Sequence, residues 1–325
     1  MINYLRKYLF EKGKPKILVA HKQIIPVKTK LKKDIYIIKR NRWHGMFSNL
    51  HYVLKHIIYA KKRKYTIYVD MENFPTIYNE KIKVNKSSNA WRYYFRKYYK
   101  KNLNKIYKKK NYKFSDEINL DTSKINQKEY KNYKYILTNN LINKTIVRNA
   151  LLFEKKNFKN KKIIGVHFRG SDQKRAALHP FPPTIKQVKT ELDKVYKKNS
   201  KIFLVTEEKK IWKKLKHYYK ENLIEFNSFK SDHDIFSIYP RKLHRYKLGY
   251  ENLVNMILLS KVDHLIHSNT NFSAMSIHFA KKKIKQSIIF NGYNSKNIFL
   301  ANILWYFKSI LPSSFGGFKK KITFK

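Results

Sequence analysis

Ile163-Ile164-Gly165-Val166-His167-Phe168-Arg169-Gly170-Ser171-Asp172 is the stretch that decides the fold. An apolar run ends abruptly in His, Arg and Asp at alternating or near-alternating positions. The pattern predicts a buried strand that delivers charged groups to the edge of an open sheet. In a doubly wound α/β fold, ligands bind outside the carboxyl ends of the strands. Arg169 presents a planar fork of donors that a pyrophosphate accepts in two places. The other reading is a strand that ends in an ordinary salt bridge.

Outward from that strand, the second half alternates cleanly. Pro180, Pro182 and Pro183 mark a loop, and a helix is predicted over about 184–198. Ile202 to Thr206 reads as a strand, and Glu207-Glu208 opens a helix to about Tyr219, acidic residues suiting a first helical turn. Leu223–Phe226, His264–His267 and Ile288–Phe290 read as strands, with helices over 251–261 and 272–283. The first half opens on a strand at Ile35-Tyr36-Ile37-Ile38 and a Gly-containing loop. Leu50, Val53, Leu54, Ile57 and Ile58 follow at helical spacing, then a strand at 65–70. Strands alternating with helices imply a parallel sheet covered on both faces. Between about 80 and 135 the chain turns rich in Lys, Asn and Tyr. Trp91 to Lys110 reads as one helix, its aromatics facing a core or, alternatively, interleaved with cations for nucleic acid or a membrane interface. Another helical segment is expected at 136–157. The expected organisation is a basic arm (1–34), an N-terminal α/β domain (35–158), a Rossmann-like domain (159–297) and a terminal helix with a basic tail (298–325).

Composition sets the bounds. In 325 residues, 42% are hydrophobic and 15% aromatic, enough for real cores. The net charge of +52 invites a nucleic-acid reading. Yet the excess is almost all Lys, spread along the chain, and Lys, Asn, Ile and Tyr rise together, as AT-rich coding produces without selection for binding. Such a surface favours anionic substrates and anionic membranes through long-range attraction. No cysteine is present, which excludes disulfides, thiolate metal sites and Cys nucleophiles. The first residues lack the apolar core of a signal peptide, and no apolar run approaches the ~20 residues that span a bilayer. A cytoplasmic protein is expected, with peripheral attachment at the inner face of the membrane. The apolar run Ile298 to Phe307, followed by Lys319-Lys320-Lys321, reads either as a packed terminal helix or as a helix lying in a membrane interface.

Three segments point to one kind of site: His167 to Asp172; Phe203-Leu204-Val205-Thr206-Glu207-Glu208; and Leu265 to Ser273, where a strand runs into a polar loop at a helix N-terminus that favours an anion. At these residues the chain resembles the α1,2-, α1,6- and protein O-fucosyltransferase superfamily, including the bacterial nodulation-type enzymes. The shared signature is H-x-R-x-x-D, matched by His167, Arg169 and Asp172. Gly165 to Pro180 resembles the α1,6 group, and Gly45-Met46-Phe47-Ser48-Asn49 is similar to the family's Gly-x-Phe-Gly-Asn loop.

The resemblance implies a GT-B architecture, two Rossmann-like domains facing a cleft. It implies an inverting glycosyl transfer with neither metal nor cofactor, the GDP-sugar being the donor substrate. Arg169 and Asp172 would be catalytic, Arg169 on the β-phosphate and Asp172 orienting it. His167 would contact the nucleoside, and Ser268, Thr270, Asn271 and Ser273 the phosphates. Gly45 and Asn49 would reach across from the other half, and Thr206 would complete the donor site. Asn255 occupies the position of a carboxylate that reads guanine. The α1,6 group carries a second Arg where this chain has Gly170, so Lys174 or Arg175 would supply that contact. Arg175 replaces a proposed acceptor base, leaving Asp70, Glu72 and His179 as candidates. Glu207 and Glu208 read as a helix start, and Asp232-His233-Asp234 as a solvated turn rather than a metal cluster. The expected partners are a nucleotide sugar, a surface-glycan or lipid-linked acceptor and an anionic membrane surface. GDP-fucose is the expected donor. The alternatives are another GDP-sugar, such as a heptose, or a basic nucleic-acid-binding protein.

Overall fold

A computed structural model of the chain describes residues 34–40, 43–99, 103–108, 112–120, 127–170, 173–318 and 322–324. The expected basic arm lies outside the described residues except for Asp34; so do Asp172 and Lys319-Lys320-Lys321.

The N-terminal sheet holds β1 (Ile35–Ile38), β2 (Thr66–Val69) and β3 (Tyr112–Phe114), all parallel, in the order β2-β1-β3. Helix α1 (Met46–Lys62) links the first two strands. Short helices α2 (Ala90–Tyr94) and α3 (Asn104–Tyr107) come before β3, and α4 (Gln127–Thr138) and α5 (Lys144–Asn157) after it.

The second sheet holds β4 (Lys162–Phe168), β5 (Ser200–Thr206), β6 (Leu223–Ile224), β7 (His264–His267), β8 (Lys285–Ile289) and β9 (Ile322–Phe324). Their order is β6-β5-β4-β7-β8-β9, parallel except for the β8–β9 edge. The crossovers carry α6 (Ile185–Val195), α7 (Lys209–Tyr219), α8 (His244–Leu259) and α9 (Asn271–Phe279), and α10 (Ile298–Ile310) follows β8. The strand sequence reverses direction between β4 and β7. That is the topological switch point, where neighbouring loops diverge and leave a crevice.

Period-two alternation assigns the two faces of this sheet. Ile164, Val166, Phe168, Ile202 and Leu204 pack with Val188 and Leu192 of α6 and Leu215 of α7. Ile163, Phe203, Val205 and Leu265 face the other way, into a core shared with α5, α8, α9 and the N-terminal half. Phe153 and Phe158 close on Phe203 across this core. Thus α5 lies before the expected boundary at 158 yet packs on the second sheet.

Several predicted elements differ from those observed. The predicted helix over 91–110 is α2 and α3 instead. Phe95 leaves the helix in an extended conformation and bridges Ile142, while Trp91 Nε1 donates to the Lys97 carbonyl at 2.7 Å. Trp91, Tyr93 and Tyr94 are buried, so these aromatics serve the core. The segment at 136–157 is broken: Asn140 is left-handed (φ 55°), and Asn143 caps α5 by accepting from Thr145 N–H. Helix α8 begins at His244, well before Glu251, and runs through Gly249. A Cβ there would strike the Tyr94 ring, so glycine buys close packing at the expense of helix propensity.

Candidate active site

The site assembles where β4, β5 and β7 end and α1 begins. On β4, Gly165 and His167 share one face, and Arg169 is the first residue beyond its end. A Cβ on Gly165 would come within 2.9 Å of Leu259 Cδ2 and 3.0 Å of Val262, so only glycine lets the end of α8 lie this close. His167 is buried, stacked on Phe272 (ring centroids 4.4 Å apart), with Nδ1 3.3 Å from Thr270 Oγ1. Burial first, then the charge of Arg169 and the neighbouring His267, push the His167 imidazole down to about 3. It is a neutral hydrogen-bonding group at physiological pH.

The β7–α9 loop turns tightly. Asn269 is left-handed (φ 54°), and its N–H donates to His267 Nδ1 at 3.0 Å. His267 is therefore neutral with its proton on Nε2, directed at Gln286 Oε1 (3.2 Å), and burial lowers it to about 4. Thr270 and Ser273 form a capping box at the head of α9, occupying the Ser273 hydroxyl. Asn271 is exposed in the first turn of α9, where the helix end carries partial positive charge.

The N-terminal half meets this edge through α1. A Cβ at Gly45 would lie 3.8 Å from Arg169 Nη1, and Phe47 packs on Phe272 at 4.4 Å. Asn49 is buried and caps the turn, its N–H donating to the Gly45 carbonyl and its Nδ2 to the His44 carbonyl. Tyr78 joins the halves. Its hydroxyl accepts from Met46 N–H at 2.9 Å and bonds the Asn252 side chain. Burial raises Tyr78 to about 12, with Arg169 opposing and Glu207 reinforcing the shift, so both charges lie beside it.

Asn255 belongs to the same region. Leu259 reaches Gly165 on β4, and Asn252 reaches Tyr78 at the other end of that face of α8. Asn255 lies between them along the helix and is buried. Asn49 Oδ1, Asn255 Oδ1 and Ser268 Oγ are buried with no hydrogen-bond partner among the described residues. Each such atom costs about 1–3 kcal/mol unless something answers it.

A cleft of about 600 Å³ opens at Arg169, lined also by Lys174, Arg175, Glu207, Asp232 and Tyr306 among others; apart from Lys174 and Arg175, Arg169 alone among the described site residues predicted from sequence lines it. Thr206 Oγ1 accepts from Glu208 N–H at 3.2 Å, which sets the turn after β5. Glu208 is paired through both oxygens to Lys174 Nζ (2.8 and 3.0 Å), nearly out of solvent. A Cβ on Gly170 would collide with Glu208 Oε1 and lie 3.1 Å from Phe168. The space a second arginine would need is therefore taken by this ion pair, and Lys174 is committed to it. Arg175 is exposed, its guanidinium 5.8 Å from the Tyr306 ring centre.

Comparison with known proteins adds one finding. No family model matches the sequence, and no curated protein matches it significantly. Solved structures do match. NodZ alpha-1,6-fucosyltransferase co-crystallized with GDP superposes with a TM-score of 0.52 at 15% identity, over 79% of this chain and 95% of that one. The fucosyltransferase NodZ from Bradyrhizobium gives 0.51 at 15% identity, over 79% and 96%. The fold is that of NodZ. The GT-B-like α/β architecture expected from the sequence is the one observed.

The structure brings Gly45, His167, Arg169 and Thr270 together, with Thr206, Ser268 and Asn271 at the same sheet edge, and Asn49 and Asn255 on the helices beside it. Asp172 lies outside the described residues. Of the three candidate bases, none lines the cleft. Asp70 is fully buried, accepting from Glu72 N–H, Asn73 N–H, Asn73 Nδ2 and the Tyr107 hydroxyl, which makes it a turn-forming group. Glu72 and His179 are exposed. Glu207, read from sequence as a helix start, does line the cleft, and Glu208 caps α7 without a side-chain bond. Asp232 accepts from Lys210 N–H and Asp234 from Phe236 N–H, and no cluster of metal-ligating side chains occurs among the described residues. Tyr78 was not legible in sequence, because nothing near Pro75 signals that its hydroxyl holds the first turn of α1.

Proposed function

We propose that this chain is a glycosyltransferase that moves a sugar, fucose first, from a GDP-linked donor to a surface-glycan or lipid-linked acceptor, with inversion and without a metal. One observation carries the reading: Arg169 stands at the switch point of a Rossmann-like sheet, facing Gly45 of the other half, where an added Cβ would lie 3.8 Å from its Nη1. The NodZ structure with this fold was co-crystallized with GDP.

The chemistry follows from that placement. As the bond from the anomeric carbon to the diphosphate breaks, positive charge spreads over the sugar ring and negative charge grows on the leaving phosphate. Arg169 and the head of α9 meet the growing negative charge; donors fixed in this way are worth a few kcal/mol of barrier. Neutral His167, held by Phe272 and Thr270, offers a ring nitrogen to the nucleoside without adding a repelling charge beside Arg169. The unpaired Asn255 and Ser268 atoms supply further hydrogen bonds, Asn255 toward the base. Gly45 leaves room for the diphosphate beside the guanidinium.

A thermal-shift screen tests the donor class, since a ligand that binds only the native state raises its melting temperature. GDP and GDP-fucose should stabilise the chain more than UDP or CDP. Arg169→Lys should lower turnover by about 100-fold with little change in melting temperature, because a point charge does not replace a two-pronged contact. No shift with any guanine nucleotide would overturn the reading. Salt-sensitive duplex binding that survives Arg169→Ala would replace it with nucleic-acid binding.

A further inference from the structure

Helix α10 stands with its apolar face outward. Ala301 is its buried residue. Trp305 Nε1 donates to the Pro182 carbonyl at 2.9 Å, and Asn294 Nδ2 donates to the Ala301 carbonyl at 2.9 Å. These contacts fix the helix by one side. The opposite side presents Phe299 (78% exposed), Ile303, Tyr306, Phe307 and Ile310 (79% exposed) at positions i, i+4, i+7, i+8 and i+11. Phe315, in the segment after the helix, is also exposed. A soluble surface rarely leaves so many large apolar side chains contiguous in water.

The segments that build this surface carry charge of one sign. No Asp or Glu occurs in 173–190 or anywhere in 264–325, the segments that build α10 and its support. Arg175, Lys186 and Lys296 are exposed there. An apolar helix face carried on segments whose charged residues are all cations, with carboxylates only on the cleft side of Tyr306, matches the headgroup region of an anionic bilayer, where rings enter the acyl boundary and cations meet phosphate. At 13 residues the helix is too short to span, and no helix among the described residues is long and apolar enough to cross a membrane.

Tyr306 belongs to both surfaces. It is 42% exposed on the outward face, and it lines the cleft with Arg169 and Arg175. We infer that α10 docks the protein on an anionic lipid surface, with the cleft mouth at the membrane and an acceptor carried on a lipid. The docking stands without the proposed transfer; the lipid-linked acceptor rests on it.

The test is co-sedimentation of the full chain with vesicles of equal parts phosphatidylglycerol and phosphatidylcholine, against pure phosphatidylcholine. The comparison is a triple variant, Phe299→Ser, Phe307→Ser and Ile310→Ser, which alters no net charge and no cleft residue. The wild type should bind the anionic vesicles, and the variant at least about tenfold less. The GDP thermal shift should be equal in both, which separates docking from donor binding. No sedimentation, or equal sedimentation of the variant, would overturn the inference. So would a concentration-dependent dimer that the triple variant abolishes, since a second copy would then cover the face.

Discussion

Lowering the pH from 7.5 to 5 sets the native state against four histidines. His56, His167, His267 and His278 are all buried. Burial is the leading cause that lowers each, His167 to about 3 and the others to about 4. Arg40 adds to the effect at His56, Arg169 at His167, and His51 at His278. In the unfolded chain an imidazole titrates near 6.5. The folded values lie below the unfolded one, so the stability these groups lend is fully present above about pH 6.5 and is lost as pH falls toward the folded values. At pH 5 the unfolded rings are almost fully protonated and the native ones nearly neutral, so unfolding takes up between about three and four protons. Stability then falls by about 5 kcal/mol per pH unit. Integrated from pH 7.5, each ring costs about 2 kcal/mol, and four independent rings about 8. Whether a native value is 3 or 4 hardly matters at pH 5, because the ring is neutral either way. Against a typical total of about 5–15 kcal/mol, that is enough to unfold much of the protein. Urea melts at half-unit steps of pH measure it directly. His278→Phe, which keeps an aromatic ring edge-on to Tyr133, should remove about a quarter of the slope. A midpoint that does not move between pH 7 and 5 would refute the argument that these rings stay neutral.

Three further perturbations test the site. Gly170→Ala forces Glu208 away from Lys174 and should cost about 1–3 kcal/mol by thermal melting, more than an exposed Gly→Ala change; an unchanged melting temperature would mean the carboxylate has room to move. Tyr78→Phe strips the partner from Met46 N–H and from Asn252, costing about 1–3 kcal/mol and loosening the loop that faces Arg169. The expected readout is a lower melting temperature together with a higher KM for the donor. Sugar transfer, measured with GDP-fucose, should be unaffected by EDTA; a strict need for an added divalent ion would remove the metal-free part of the proposal.

How much the sequence disclosed depended on the range over which each signal acts. The strands β4, β5 and β7 were legible because apolar runs of four to seven residues end abruptly in polar groups, a local pattern that the parallel sheet demands. The switch point followed from alternation plus order. Helix α8 was half missed because Gly249 reads as a breaker until Tyr94, 155 residues earlier in the chain, fills its place. The break after α4 did carry a local signal, Asn139-Asn140, that the apolar periodicity on either side overrode. Strand β3 is three residues long and pairs on one side only, so it left almost no pattern. At the candidate site, the ends of the motif strands were legible, whereas Tyr78 and the Gly170–Glu208–Lys174 arrangement were not. Their roles exist only once separate segments touch.

That last arrangement bears on how the site would meet an anion. The chain carries +52, yet the cleft does not concentrate it. Among the described residues, Arg169, Lys174, Arg175 and Lys210 face Glu207, Glu208, Asp232 and Asp234, four cations against four carboxylates. A general electrostatic trap for phosphates would be built from unopposed charge, as nucleic-acid grooves are. Here Lys174 is neutralised by Glu208, and Gly170 exists to let that carboxylate in. What distinguishes the site is placement: the Arg169 guanidinium where the cleft meets the sheet edge, and His167 behind it, kept neutral and adding no competing charge. Fixed donors of that kind act at a single point where charge develops, which is the requirement of group transfer rather than of holding a polyanion. The surplus lysines lie outside this cleft, whose described lining holds Lys174 and Lys210.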